Sequence, residues 1–139
     1  MKYPAAQHYI GGTFTDGAPP FGEVHDPSTG QLIAKVPLGG RAEVDAAVAA
    51  ARRAFPAWSR TPIKERVQVF YRYRSLLERN LKELSDLIVE EHGKLYGEAE
   101  AEVLKAMELT EFACSLPQIA AGEVMEVSRG VECRIERVP

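Results

Sequence analysis

Two thiols, Cys114 and Cys133, and one lysine in an acidic run, Lys105, are the side chains here best suited to covalent or ionic chemistry. A cysteine reacts as its thiolate, and a histidine, a cation or a helix N-terminus must lower its pKa. Neither cysteine has that setting in the sequence. Cys114 falls on the inward face of a helical pattern, with no histidine close by, and reads as a packed small hydrophobe. Cys133 alternates with Val131 and Ile135 and belongs to one face of a strand. The two form no CxxC pair, and His8, His25 and His92 are scattered, so there is no zinc signature. Both thiols are expected to be free. Lys105 lies among Glu98, Glu100, Glu102, Glu108 and Glu111, where the plain reading is a surface lysine on a solvated helix face. Glu91 is a carboxylate near a helix end. His92, just before Gly93, suits the negative end of a helix dipole. No G-x-G-x-x-G turn occurs. By themselves these residues make no catalytic, cofactor or metal constellation.

The elements that position them follow from periodicity and turn chemistry. Tyr9-Ile10-Gly11-Gly12-Thr13-Phe14 is a hairpin signal, two β-prone pieces around Gly-Gly. Glu23-Val24-His25 and residues 31–36 flank Asp26-Pro27-Ser28-Thr29-Gly30, which predicts a second hairpin. From Gly40 the period turns helical. Val44, Val48, Ala51 and Phe55 share one face, with Gly40 as cap, Glu43 in the first turn and Pro56 as the stop. Thr61-Pro62 is expected to cap and open a second helix with the stripe Ile63, Val67, Phe70 and Leu77. Asn80-Leu81-Lys82-Glu83 reads as a capping box starting a third helix over Leu84, Leu87 and Ile88, closed by Gly93 in the left-handed conformation. The longest helix is predicted from about Glu98 to Ser115 or beyond, with Val103, Ala106, Met107, Thr110, Ala113 and Cys114 inward. Pro117 kinks or ends it, and Gly122 stops it. Val124–Val127 and Val131–Ile135, joined by Ser128-Arg129-Gly130, form a last hairpin with no further sheet to join. The fold class is α+β: hairpins, about four helices, and a C-terminal hairpin.

Composition narrows the function classes. The 139 residues are 45% hydrophobic and 27% charged, the balance of a globular domain with a single core. The net charge of −3 argues against nucleic acid. Arg66, Arg72, Arg74 and Arg79 read as a wet helix face, and Trp58, Tyr71 and Tyr73 as packing residues. No apolar run reaches the length of a membrane span, and Met1-Lys2-Tyr3-Pro4 lacks a signal core. A cytoplasmic location is the expectation.

Taken in order, these pieces resemble the N-terminal part of the aldehyde dehydrogenase superfamily. The matching residues are Tyr9-Ile10-Gly11-Gly12, Asp26-Pro27-Ser28-Thr29-Gly30-Gln31-Leu32-Ile33, residues 42–48 through Ala54-Phe55-Pro56-Ala57-Trp58, and Glu90-Glu91-His92-Gly93-Lys94. Within it, the last of these words and residues 111–117 with Gly122-Glu123 look like the methylmalonate-semialdehyde dehydrogenase branch. The resemblance implies that the helices belong to a Rossmann-like α/β dinucleotide-binding domain. It divides the chain into N-terminal hairpins (1–40), an incomplete helical part of that domain (41–122), and a hairpin of the arm that joins subunits (123–139). It also implies a parent that oxidises a small aldehyde with NAD or NADP, in that branch with coenzyme A, as a homo-oligomer. The family's cysteine nucleophile, its oxyanion donors and most of its dinucleotide-gripping groups would lie beyond Pro139. The segment is then expected to be inactive alone.

Two side chains acquire implied roles. An Arg at the position of Lys105 holds the substrate carboxylate in that branch; this chain departs from the pattern with a point charge that lacks the guanidinium fork. Glu91 matches a position where some members bind a monovalent cation. The alternative from another class is a non-catalytic helical interaction module that binds a partner through an edge strand, Val131–Val138.

Overall fold

The computed structural model describes residues 1–138; Pro139, the end of the third expected segment, lies outside the described residues. The chain begins with two antiparallel ribbons, β1 (His8–Ile10) with β2 (Thr13–Thr15), and β3 (Phe21–His25) with β4 (Leu32–Pro37). Both turns form as the sequence predicts. Gly11 and Gly12 take positive φ, the geometry that lets a two-residue loop follow the strand twist. In the second turn Ser28 N–H donates to Asp26 Oδ1 at 2.7 Å, Thr29 Oγ1 donates to Oδ2 at 3.0 Å, and Gly30 N–H donates to the Asp26 carbonyl. These donors, the Ser28 amide first, hold the Asp26 carboxyl below the usual carboxylate range.

Helices follow: α1 (Arg41–Trp58), α2 (Ile63–Arg79), α3 (Leu81–His92), α4 (Tyr96–Cys114) and the single turn α5 (Leu116–Ile119). The core is where α2, α3 and α4 meet. Val67 and Leu77 of α2, Ser85 of α3, and Ala99, Val103, Met107, Thr110 and Cys114 of α4 are buried there, and Ile33 of β4 is buried as well. A third ribbon, β5 (Glu123–Ser128) with β6 (Val131–Ile135), closes the chain and is exposed on both faces. The chain is thus α+β, with five helices and three separate strand pairs among the described residues.

Several local expectations need correction. Pro56 does not end α1; the helix runs on to Trp58, because a proline in the last turn loses one ladder bond while Ser59 N–H still reaches the Phe55 carbonyl at 2.8 Å. Thr61 does not cap α2. Its hydroxyl turns back to the Ala57 carbonyl at 3.1 Å, and Pro62 itself occupies the cap position. Asn80 likewise serves the helix behind it, its amide donating to the Leu76 carbonyl at 2.7 Å, so no side chain caps α3. α4 opens two residues early at Tyr96, with Glu98 reaching back to the Leu95 N–H at 3.2 Å. The edge strand expected to Val138 stops at Ile135. Most important, the apolar stripe of α1 covers nothing: Val44, Val48, Ala51 and Phe55 are all exposed, and the helix has no buried residue.

Candidate functional site

α4 carries the arrangement with the clearest chemical content, because it is apolar on two opposite sides. A helix turns about 100° per residue, so Val103, Met107, Thr110 and Cys114 form one face, and that face is buried. Ala101, Lys105, Glu108, Leu109 and Phe112 gather on the opposite face, and all are exposed. Leu109 is 63% and Phe112 67% accessible. In the middle, Lys105 Nζ donates to Glu108 Oε2 across one turn, an i,i+3 ion pair. Glu108, expected to be one of several solvated charges, is therefore the partner of Lys105; the spacing was the available signal.

The other singled-out residues lie apart from this face. Cys114 is buried and free where α2, α4 and α5 meet, beside a hollow lined by Tyr71, Arg74, Glu111 and Gln118. Arg74 is held by two carboxylates, Glu111 at 2.9 Å and Glu78 one turn along, so it offers no spare charge to a thiolate. Cys133 is free and exposed, opposite Met125 in the ribbon. Glu91 and His92 are exposed at the end of α3, which Gly93 closes at φ 75°. Their neighbour Glu90 does more: Lys2 Nζ and, at 2.6 Å, the Tyr3 hydroxyl both donate to it. Nothing in the sequence marked that contact, which joins groups 87 and 88 residues apart. Arg66 Nε is buried with no hydrogen-bond partner among the described residues. Among those residues no group of three or more His, Cys, Asp and Glu could hold a metal ion, and no helix is long and apolar enough to cross a membrane.

The family model described as "Aldehyde dehydrogenase family" matches residues 14–139. This chain belongs to the aldehyde dehydrogenase family. The human mitochondrial methylmalonate-semialdehyde/malonate-semialdehyde dehydrogenase [acylating] is 37% identical over 138 residues, 98% of this chain and 26% of that protein. Malonate-semialdehyde dehydrogenase 2 of Bacillus cereus is 38% identical over 135 residues, 96% of this chain and 28% of its own length. Solved structures agree. The methylmalonate-semialdehyde dehydrogenase of Oceanimonas doudoroffii superposes with a TM-score of 0.88 at 33% identity, over 94% of this chain and 27% of that one. A Sinorhizobium meliloti protein described as a methylmalonate-semialdehyde dehydrogenase, complexed with NAD, gives 0.88 at 29%, over 96% and 28%. This aldehyde dehydrogenase chain therefore spans about a quarter of the length of the relatives it matches. Both two-sided α4 and the uncovered α1 belong to that matched quarter.

Proposed function

We propose that the chain is the N-terminal part of an NAD(P)-dependent aldehyde dehydrogenase that oxidises a small aldehyde through a cysteine thiohemiacetal, with coenzyme A as acyl acceptor if it follows its semialdehyde relatives. The observation that carries this is the match over residues 14–139, together with a fold that superposes over nearly the whole chain yet fills only a quarter of each relative. In this reading residues 1–40 are the entry hairpins and 41–122 the first helices of a Rossmann-like α/β domain. Residues 123–139 are the subunit-joining arm of a cytoplasmic homo-oligomer. The outer face of α4, with Lys105 at its centre, lines the aldehyde site.

No residue of this chain is assigned to the dinucleotide. Its strand-to-helix connection, Leu38-Gly39-Gly40 between β4 and α1, is the place where a phosphate would sit by analogy with glycine-rich turns. The Gly40 N–H there already donates to Glu43 Oε2 at 2.7 Å, and that carboxylate repels a phosphate. A bound nicotinamide would accept the hydride of oxidation, and other parts of the protein would hold it. The deciding experiment gives the full-length protein a panel of aldehydes with NAD or NADP, with and without coenzyme A, and follows the reduced nicotinamide. Turnover with one or more aldehydes is expected, and none from residues 1–139 alone. Silence of the full-length protein across the panel sinks the reading.

A second reading, a non-catalytic interaction module, is favoured by the ribbon β5–β6, which is exposed on both faces. The mass of the native protein separates the two. A product as long as the relatives supports the dehydrogenase, and one of about this chain's mass supports the module.

A further inference from the structure

We propose that the hollow between the end of α1, the first turns of α2 and the segment after β6 is a carboxylate-binding site, in which Arg66 and Arg137 hold the anion and Trp58 and Phe70 hold an apolar body attached to it. The hollow carries this independently of the dehydrogenase reading.

Ile63, Arg66, Val67 and Phe70 recur at i, i+3, i+4 and i+7, so α2 turns all four to one side. Val67 is buried, and the other three are half-buried around it. Trp58, from the last turn of α1, and Leu116 of α5 line the same hollow, and Arg137 and Val138 line its remaining side. Its volume is about 320 Å³, at the small end of the range of small-molecule sites.

Arg66 Nε is the one buried side-chain N or O atom without a hydrogen-bond partner among the described residues. Folded proteins satisfy nearly all such donors, and one on a charged group is the most costly to leave unmade. Arg74, beside the neighbouring hollow, is committed to Glu78 and Glu111. Neither Arg66 nor Arg137 has a carboxylate within ion-pair distance among the described residues. No acidic side chain lines the hollow among those residues, so two cations stand in walls that are otherwise apolar but for the Trp58 indole N–H.

An anion answers that charge. A guanidinium presents its Nε–H and an Nη–H along one edge, at the spacing of the two oxygens of a carboxylate. A phosphate fits less well, because it brings further oxygens and the Trp58 indole is the only other side-chain donor lining the hollow among the described residues. The apolar walls suit an aromatic or aliphatic body. The occupant is therefore a carboxylate on an apolar body, supplied by a free organic acid or by an Asp or Glu side chain of a longer polypeptide.

The test titrates the full-length protein with para-fluorobenzoate, and with para-fluorobenzamide as its uncharged match, followed by fluorine NMR. Wild type is expected to bind the acid with a Kd of about a millimolar or tighter, and the amide at least about tenfold more weakly. Arg66→Gln and Arg137→Gln should each weaken the acid by about tenfold or more and leave the amide within about threefold. Arg66→Lys keeps the charge without the fork, guards against a folding artefact, and should fall between wild type and Arg66→Gln. Acid held elsewhere, the aldehyde site included, survives all three substitutions and is told apart by that. A wild-type protein with no Arg66-dependent acid binding, in which the melting losses of Arg66→Gln and Arg137→Gln together fall well short of their sum, has the site filled by a carboxylate of its own, since either substitution loosens the same shared ion. Binding that does not tell acid from amide overturns the proposal. So does the absence of Arg66-dependent acid binding when the two melting losses simply add or are nil.

Discussion

Glu90 ties the start of the chain to the helical core through Lys2 and Tyr3, while the Lys2 and Tyr3 amides also donate to the Ile33 carbonyl at 3.0 and 2.9 Å. The hydrogen bond from Lys2, and after it that from Tyr3, holds the Glu90 carboxyl below the usual range. A carboxyl with a lowered pKa in the folded state contributes stability above its unfolded pKa and loses it as pH falls through the folded one. The Lys2 ammonium is shifted up by the same bond, so its share is complete at neutral pH and fades only above the ordinary lysine range. Glu90→Gln should therefore melt below wild type near neutral pH, and the two melting curves should converge as pH drops below the ordinary carboxylate range. Thermal melts across that range check it; a gap that stays constant down to strong acid would show that the contact is not electrostatic. None of this was legible in the sequence. The word Glu90-Glu91-His92-Gly93-Lys94 drew the eye to Glu91 and His92, since helix-end chemistry is local, and a partner 88 residues away leaves no periodic trace. Lys105 and Glu108 show the opposite case: their spacing put the pair within reach of inspection, but the glutamates around them made it look like any solvated face.

Elements were more legible than their ends. The 3.6-residue period located all four long helices and the turn glycines located all three hairpins, because both signals are repeated many times along an element. Caps rest on one side chain each, and at Thr61 and Asn80 that side chain bonds backward to the preceding helix. Gly40 and Gly93 are caps that behaved as expected, and Gly93 does two things at once. Its φ of 75° suits glycine, and a Cβ there would stand 2.9 Å from Pro27 Cγ, packing the turn between β3 and β4 against the end of α3. Gly93→Ala should cost about 1–2 kcal/mol from the left-handed backbone alone, and more as Pro27 is displaced; chemical denaturation measures it, and a neutral substitution would mean the turn and helix end are free to part. The two faces of α4 predict an equally clear contrast. Met107→Ala empties a buried position and should cost about 2–5 kcal/mol. Leu109→Ala, on the exposed face of the same helix, should fall within about 0.5 kcal/mol in the isolated chain. Equal losses at both positions would show that the outer face is already covered.

At the scale of the whole molecule, the chain exposes 10559 Å², whereas a compact monomer of 15.3 kDa is expected to expose only about 7,100 Å². The excess, roughly 3,400 Å², is of the size that obligate interfaces bury. Its location is visible in three uncovered surfaces: the α1 stripe, the outer face of α4, and the ribbon with Met125, Val127, Val131 and Ile135. Sequence patterning marked the α1 stripe correctly as apolar but could not say that its cover is missing from the described residues, since a pattern records what must be buried and not what buries it. Such area is costly in water, so the isolated chain should associate with itself above micromolar concentration and bind a hydrophobic dye. The α1 face offers the cleanest test, because no residue of that helix is buried and a change there leaves the α2–α3–α4 core alone. Val48→Glu with Phe55→Glu should shift the chain toward monomer in sedimentation while moving its unfolding free energy by no more than about 0.5 kcal/mol per site. A wild-type chain that sediments as a single monomer and ignores the dye would mean that these faces are closed by a rearrangement of the chain itself.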